Sequence, residues 1–227
     1  MKITVIHGQA HHRNTYHLTQ LLLEQLDCSK EDITEFKING IGQCVGCFQC
    51  ILKDEKICPH REQIEPIIRS MEAADVIVMA SPNYVMGMTG QLKSFCDHMA
   101  YRWMSHRPNG EMKNKIGVAI STTAGLGAKK ATKDMAIQFR WWAIGKVYKL
   151  PFTVAASSWD EVDNKRRVKL ERKIEKLGMR INAKCGNVKP GIKSRFLFYM
   201  MGKMQKGMGY NAVDVSWWKK NGWIKTK

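Results

Sequence analysis

Residues 74–99 read ADVIVMASPNYVMGMTGQLKSFCDHM. The run Asp75 to Ala80 is apolar without alternation and of strand length, the pattern of a parallel strand buried on both faces. Ser81 to Gly87 is a loop punctuated by Pro82 and Gly87, and Thr89 to Trp103 has helical spacing. The stretch therefore reads strand, loop, helix. The same unit recurs on either side. Lys2 to Ile6 is a β-branched run ending at Gly8, followed by a polar loop, Gln9 to Asn14, and a helix from Thr15 to Leu26 through Leu18, Leu21, Leu22 and Leu26. Ile33 to Ile38 is a second strand and Arg61 to Ala73 a helix. Lys115 to Ser121 is another buried strand, Thr122 to Gly127 a Thr/Gly-rich loop, Ala128 to Ile144 a helix, and Lys146 to Ala155 extended. Five strand–helix alternations predict an α/β fold, a doubly wound sheet of parallel strands with helices on both faces.

Beyond Trp159, Leu170, Ile174, Leu177 and Ile181 form an apolar stripe whose other sides carry Lys and Arg, a packed helix with a solvated face. We expect a domain over 1–187 and a basic, aromatic C-terminal extension over 188–227 that packs on the domain or on a partner subunit. Phe196 to Met208 reads as a helix, and Tyr210 to Trp223 as aromatic and irregular.

The formal net charge is +17, and its placement is uneven. Residues 1–113 carry 12 Lys/Arg and 13 Asp/Glu, whereas 114–227 carry 25 and 7, so the whole surplus lies in the C-terminal half. Such a field attracts anions, an acidic redox partner or an acidic membrane surface. No nucleic-acid-binding motif accompanies it, so a nucleic-acid partner is not expected. No apolar run approaches the ~18 residues that span a bilayer. MKITVIHGQ has no basic region followed by a long apolar stretch, so the expectation is a cytoplasmic protein. Seven cysteines, an odd number, argue against a disulfide framework.

In an open parallel sheet, ligands bind beyond the carboxyl ends of the strands, near the point where strand order reverses. Three loops leave apolar strands there: Gly8–Thr15, Ser81–Gly87 and Thr122–Gly127. The first opens a helix, whose free N–H groups and partial positive charge suit a phosphate, with Asn14 or Thr15 as the alternative helix cap. Neither G-x-x-x-x-G-K-[ST] nor G-x-G-x-x-G is present, so an NTPase loop and a dinucleotide fingerprint are not expected.

Gly8…Asn14-Thr15 after the first strand, the segment 74–99 and the Gly-rich loop at 122–127 together resemble the flavodoxin-like NAD(P)H-dependent FMN reductase family, over roughly residues 1–155. The resemblance implies strand order 2-1-3-4-5, bound FMN, NAD(P)H as co-substrate, a small-molecule electron acceptor and a homodimer. It implies that Gln9, His11, Arg13, Asn14 and Thr15 hold the FMN phosphate. Pro82, Asn83, Tyr84, Val85, Met86 and Gly87 would lie along the isoalloxazine, with Thr122, Thr123, Ala124, Gly125 and Gly127 closing the other side. The first loop departs from the family's usual Gly-Ser-Pro-Arg: here it is Gly8-Gln9-Ala10-His11, so His11 stands where a permanent cation is usual. No side-chain acid or base is required by the chemistry, and none is assigned.

Cys44, Cys47, Cys50 and Cys58 read C-x2-C-x2-C-x7-C. Four thiolates suffice for an iron–sulfur cluster, and the compact spacing resembles the iron–sulfur flavoproteins, relatives on the same fold. Zinc, or free thiols that pack or touch a neighbouring subunit, are the alternatives. Cys28, Cys96 and Cys185 read as small apolar packers, and His60 and His98 as structural or surface residues.

Overall fold

The computed structural model describes residues 1–209 and 211–225. Five parallel strands, β1 (Ile3–His7), β2 (Ile33–Lys37), β3 (Val76–Ala80), β4 (Ile116–Thr123) and β5 (Lys146–Thr153), form one sheet in the order β2-β1-β3-β4-β5. The chain moves outward one way from β1 to β2, then crosses back to β3 on β1's other edge. That reversal creates the crevice at which this class of sheet receives ligands.

The helices in chain order are α1 (Asn14–Leu23), α2 (Gln49–Leu52), α3 (Arg61–Ala73), α4 (Gly90–His98), α5 (Ala128–Trp141), α6 (Asn164–Lys184), α7 (Ile192–Met208) and α8 (Ala212–Lys220). Every residue of β1 and β3 is buried, β3 as an unbroken apolar run and β1 with Thr4 and His7 among its apolar residues. Because strand side chains alternate in direction, neighbouring residues feed different cores. Ile6, Ile77 and Met79 pack with Phe95, Phe139 and Trp142 beneath α3, α4 and α5. Val5, Val76, Val78 and Val118 pack with Leu18 and Leu22 of α1 and with Leu170, Ile174, Leu177 and Ile181 of α6. The stripe on α6 thus faces the sheet and its cations face water.

Several boundaries differ from the sequence reading. The segment after Ala212 is helical as α8 rather than irregular; Tyr210, which opened that reading, lies outside the described residues. The helix after β3 stops at His98 and continues as a short 3-10 turn, Ala100–Arg102. Thr122 and Thr123 are not loop residues but the last of β4, paired with Phe152 and Thr153 of β5.

The extension seats on the segment that precedes β4. Trp218 is fully buried, stacks on Phe198 at 4.8 Å and donates from Nε1 to the His106 carbonyl at 2.6 Å. Trp217 Nε1 donates to the Pro108 carbonyl and Gln205 Nε2 to the Ser105 carbonyl. Arg107 ties the seat together. It pairs with the fully buried Asp214 at 2.7 Å and also donates to the carbonyls of Cys50 and Ile51.

Candidate functional site

The loop from Gly8 to Arg13 runs from the end of β1 into α1. Gly8 is held by its neighbours: its N–H donates to the Ala80 carbonyl at 2.8 Å, and its own carbonyl accepts from Thr89 Oγ1 at 2.6 Å. A Cβ on Gly8 would stand 2.6 Å from that same Thr89 hydroxyl, so the close approach of α4's first turn requires glycine. Thr89 caps α4, and its own N–H donates to Ser81 Oγ at 2.9 Å. Ser81 and Thr89 therefore lock the first loop to the loop after β3. Both escaped the sequence reading: Thr89 stands there only as the first residue of a helix, and its reach to Gly8 is a long-range contact.

Arg13, not Asn14 or Thr15, is the N-cap of α1, and its side chain makes no capping bond. Asn14 and Thr15 instead hold other loops. Asn14 Nδ2 donates to the Ala156 carbonyl at 2.9 Å, and the Thr15 and Thr122 hydroxyls share a hydrogen bond of 2.6 Å. A fourth loop, after β5, thus joins the three expected ones. Thr153 Oγ1 in turn donates to the Gly125 carbonyl, and Glu161 holds the Ser157 and Ser158 N–H groups. His11 and Arg13 remain exposed at the mouth, and His11 Nε2 lies 3.1 Å from the Tyr84 hydroxyl.

The loop after β3 continues alongside β4, with Asn83 N–H donating to the Thr122 carbonyl. Tyr84 and Gly87 then exchange two 3.0 Å backbone bonds around a tight turn. Its central residues, Val85 (φ 48°) and Met86 (φ 64°), both sit in the left-handed region. A hairpin turn with two positive φ values usually takes Asn or Gly there, so a β-branched residue stores strain. The conformational demand falls on Val85 and Met86 rather than on Gly87. Across the crevice, Gly127 (φ 104°) opens α5, and the Asn83 side chain occupies the space a Cβ would fill. Asn83 Nδ2 and Thr123 Oγ1 both donate to the Leu126 carbonyl, fixing the Ala124–Leu126 tip.

Two properties of this rim bear on what it accepts. The buried carboxamide oxygens of Gln9, Asn14 and Asn83 have no hydrogen-bond partner among the described residues, a costly state unless a ligand supplies donors. Tyr84, Val85, Met86 and Leu126 present large exposed apolar surface at the mouth, and nothing stands within 4 Å of where a Gly125 side chain would be. A polar cradle at a helix N-terminus beside an open apolar shelf fits a phosphorylated, hydroxylated chain carrying a flat ring. FMN has that form.

The NADPH-dependent FMN reductase family matches residues 1–160. The chain belongs to this family. It is accordingly a flavin oxidoreductase using FMN and a nicotinamide cofactor. Among curated relatives, an iron–sulfur flavoprotein of Archaeoglobus fulgidus is 27% identical over 216 residues, covering 93% of this chain and 94% of that one. An iron–sulfur flavoprotein of Methanosarcina thermophila is 28% identical over 143 residues, 61% of this chain and 70% of that one. Among solved structures, an FMN-dependent NADH-azoreductase from Bacillus anthracis superposes with a TM-score of 0.59 at 13% identity, covering 80% of this chain and all of that one. That likeness establishes the shared fold.

This FMN reductase family member carries its four clustered cysteines between β2 and α3. Cys47 is exposed, and Cys44, Cys50 and Cys58 are partly covered. The Cys50 thiol is pushed up to about 11, first by burial and then by the charges of Cys58, Cys44 and Cys47. Among the described residues, no three His, Cys, Asp or Glu side chains close around a single metal-ion position. His98 is buried, the structural of the two roles expected for it. Its Nε2 donates to the Gly42 carbonyl at 2.8 Å while Nδ1 faces Cys58 Sγ at 3.7 Å.

Proposed function

We propose that the protein passes hydride from NAD(P)H through FMN to a small planar acceptor such as a quinone, a nitro compound or free flavin. The observation that carries this reading is the pairing of unsatisfied buried carboxamides with an open apolar shelf on one sheet rim. Arg13 and the first-turn N–H groups of α1 would neutralise the phosphate, with Gln9, His11, Asn14 and Thr15 around it. Pro82 to Gly87 and Thr122 to Gly127 would flank the ring, and the shelf would receive nicotinamide and acceptor in turn. FMN supplies the hydride and electron chemistry; the chain supplies orientation and electrostatics. No side chain at this rim is assigned a proton-transfer role.

Stopped-flow absorbance of the holoprotein tests the reading. Bound flavin should bleach on mixing with NADH or NADPH and recover on adding a quinone. Bleaching by neither nucleotide would defeat it. Arg13→Ala with Asn14→Ala should weaken FMN binding about 10- to 100-fold, the loss expected for hydrogen bonds to a charged group. Unchanged retention would remove those residues from the phosphate site.

A second reading is an iron–sulfur flavoprotein carrying a cluster on Cys44, Cys47, Cys50 and Cys58. It is supported by four thiols on one short segment, three of which act on the fourth, and by what the relatives are called. The donor set suits a polynuclear cluster, whose ligands stand further apart than those of a single ion. Iron and sulfide analysis of anaerobically purified protein decides it. An acidic redox partner and a homodimer belong to the same proposal, testable by cross-linking to a ferredoxin and by light scattering.

A further inference from the structure

The C-terminal extension carries a charge that nothing on it balances. Between Lys189 and Lys225 the sole acid is Asp214, fully buried against Arg107. No lysine or arginine of this stretch forms an ion pair among the described residues. On α7, Leu197, Phe198 and Met201 pack inward on the core. The other face shows Ile192, Phe196, Tyr199 and Met200, which are 82, 64, 56 and 41% exposed. Ile192, Phe196 and Met200 stand four residues apart and Tyr199 three after Phe196, which places these four on one helix face. Lys193 and Arg195 border the stripe on its two sides, and Lys203 ends it, its Nζ 4.9 Å over the Tyr199 ring.

We propose that this face of α7 docks the protein peripherally on an anionic membrane surface. An apolar stripe bordered by cations, with an amphipathic tyrosine, is what an interfacial helix presents to headgroups and upper acyl chains. Lysine stems lie along the apolar surface while their charges reach the phosphates. A second copy of the chain is disfavoured, because a two-fold contact would set the same uncompensated cations against each other. A folded acidic protein needs a matching surface for a convex helix, whereas a fluid interface moulds to it. No helix of the described residues is long and apolar enough to cross a membrane, so the contact is superficial. The inference depends neither on the electron acceptor nor on the cysteine chemistry.

The test is co-sedimentation of the full-length protein with vesicles of phosphatidylcholine alone or enriched in phosphatidylserine, at low and high salt. We expect partitioning at least about tenfold stronger on the anionic vesicles, falling steeply with salt. Lys193→Glu with Lys203→Glu should lower it about tenfold or more. Phe196→Glu with Tyr199→Glu should abolish it while leaving near-ultraviolet circular dichroism and FMN content unchanged. Equal binding to both vesicle types, or none at low salt, overturns the proposal. So does wild-type binding by the Phe196/Tyr199 variant, which would reduce the effect to unspecific charge. A Phe196/Tyr199 variant that turns a dimer into a monomer assigns the stripe to self-association. Capture of soluble polyglutamate without vesicle binding assigns it to acidic polypeptides.

Discussion

At the residue scale, the first loop is braced from below by His7 and Glu35. His7, the last residue of β1, donates from Nε2 to the Glu35 carboxylate on β2 at 2.5 Å, and Gln20 of α1 donates to the same group. The His7 bond, foremost, holds the Glu35 carboxyl below its ordinary value, against the opposing effect of burial. A lowered folded-state value means the unfolded chain binds the proton more readily. The stabilisation is therefore fully present above the unfolded value near 4.5 and is lost as pH falls through the folded one. Glu35→Gln should be less stable than wild type at neutral pH, and the gap should close as pH falls from the ordinary carboxyl value near 4.5 through the lowered folded one; urea titrations of both proteins at several pH values measure it. Val85 offers a second test. Its side chain is fully exposed, so truncation loses no packing. A left-handed β-branched residue costs about 1–2 kcal/mol, while glycine costs about 0.5–1 kcal/mol in chain entropy. Val85→Gly should accordingly raise stability by about 0.5–1 kcal/mol in thermal melts. Neither feature is readable from sequence, since the loop's residue types say nothing of φ and the His7–Glu35 bond spans two strands.

At the element scale, legibility tracks where the chemistry of burial is uniform. β3 is apolar throughout, and β1 and β4 for most of their length, because helices cover both sheet faces, and that signal is local. The loops beyond them follow from topology, which is why the expected site residues fall on one rim. α8 was illegible for the opposite reason. Its two fully buried positions, Asp214 and Trp218, are a carboxylate and an aromatic, so no apolar period appears. Asp214 is tolerable inside only because Arg107, distant in sequence, neutralises it, while His106 Nδ1 and Asn211 Nδ2 donate to the same carboxylate. Arg107 also donates to carbonyls at Cys50 and Ile51, so α8 and the cysteine segment share one anchor. Removing one partner strands a buried charge. Arg107→Ala or Asp214→Ala should each cost about 3–5 kcal/mol, whereas replacing both by apolar residues of similar volume should cost much less. Denaturant titration of the double-mutant cycle measures the difference. Protease nicking between Cys50 and Glu55 in the single mutants alone would show the cysteine segment released with the helix.

At the scale of the whole molecule, the sheet separates two tasks by its two rims. The loops that gather Gln9, Asn14, Asn83 and Thr122 leave the carboxyl ends of the strands. The extension instead seats on Ser105 to Pro108, ahead of the amino end of β4, and there buries Trp218 and partly buries Phe198. A chain ending at residue 187 would leave Met104 and the carbonyls of Ser105, His106 and Pro108 without that cover while leaving every bond among the rim loops in place. Each large side chain returned to water forfeits about 1.5–3 kcal/mol, so several together rival the stability of an ordinary domain. The truncated chain should therefore melt far below the full-length protein. FMN affinity should move in the other direction of inference: measured by fluorescence quenching at low temperature, on the fraction still folded, it should match that of the intact chain. A truncation that keeps its melting temperature would show that the extension contributes little to the core. One that stays folded yet loses FMN would show the two rims to be coupled through the sheet, with β4 as the connection, since it begins beside the extension's seat and ends at the Thr15–Thr122 hydrogen bond.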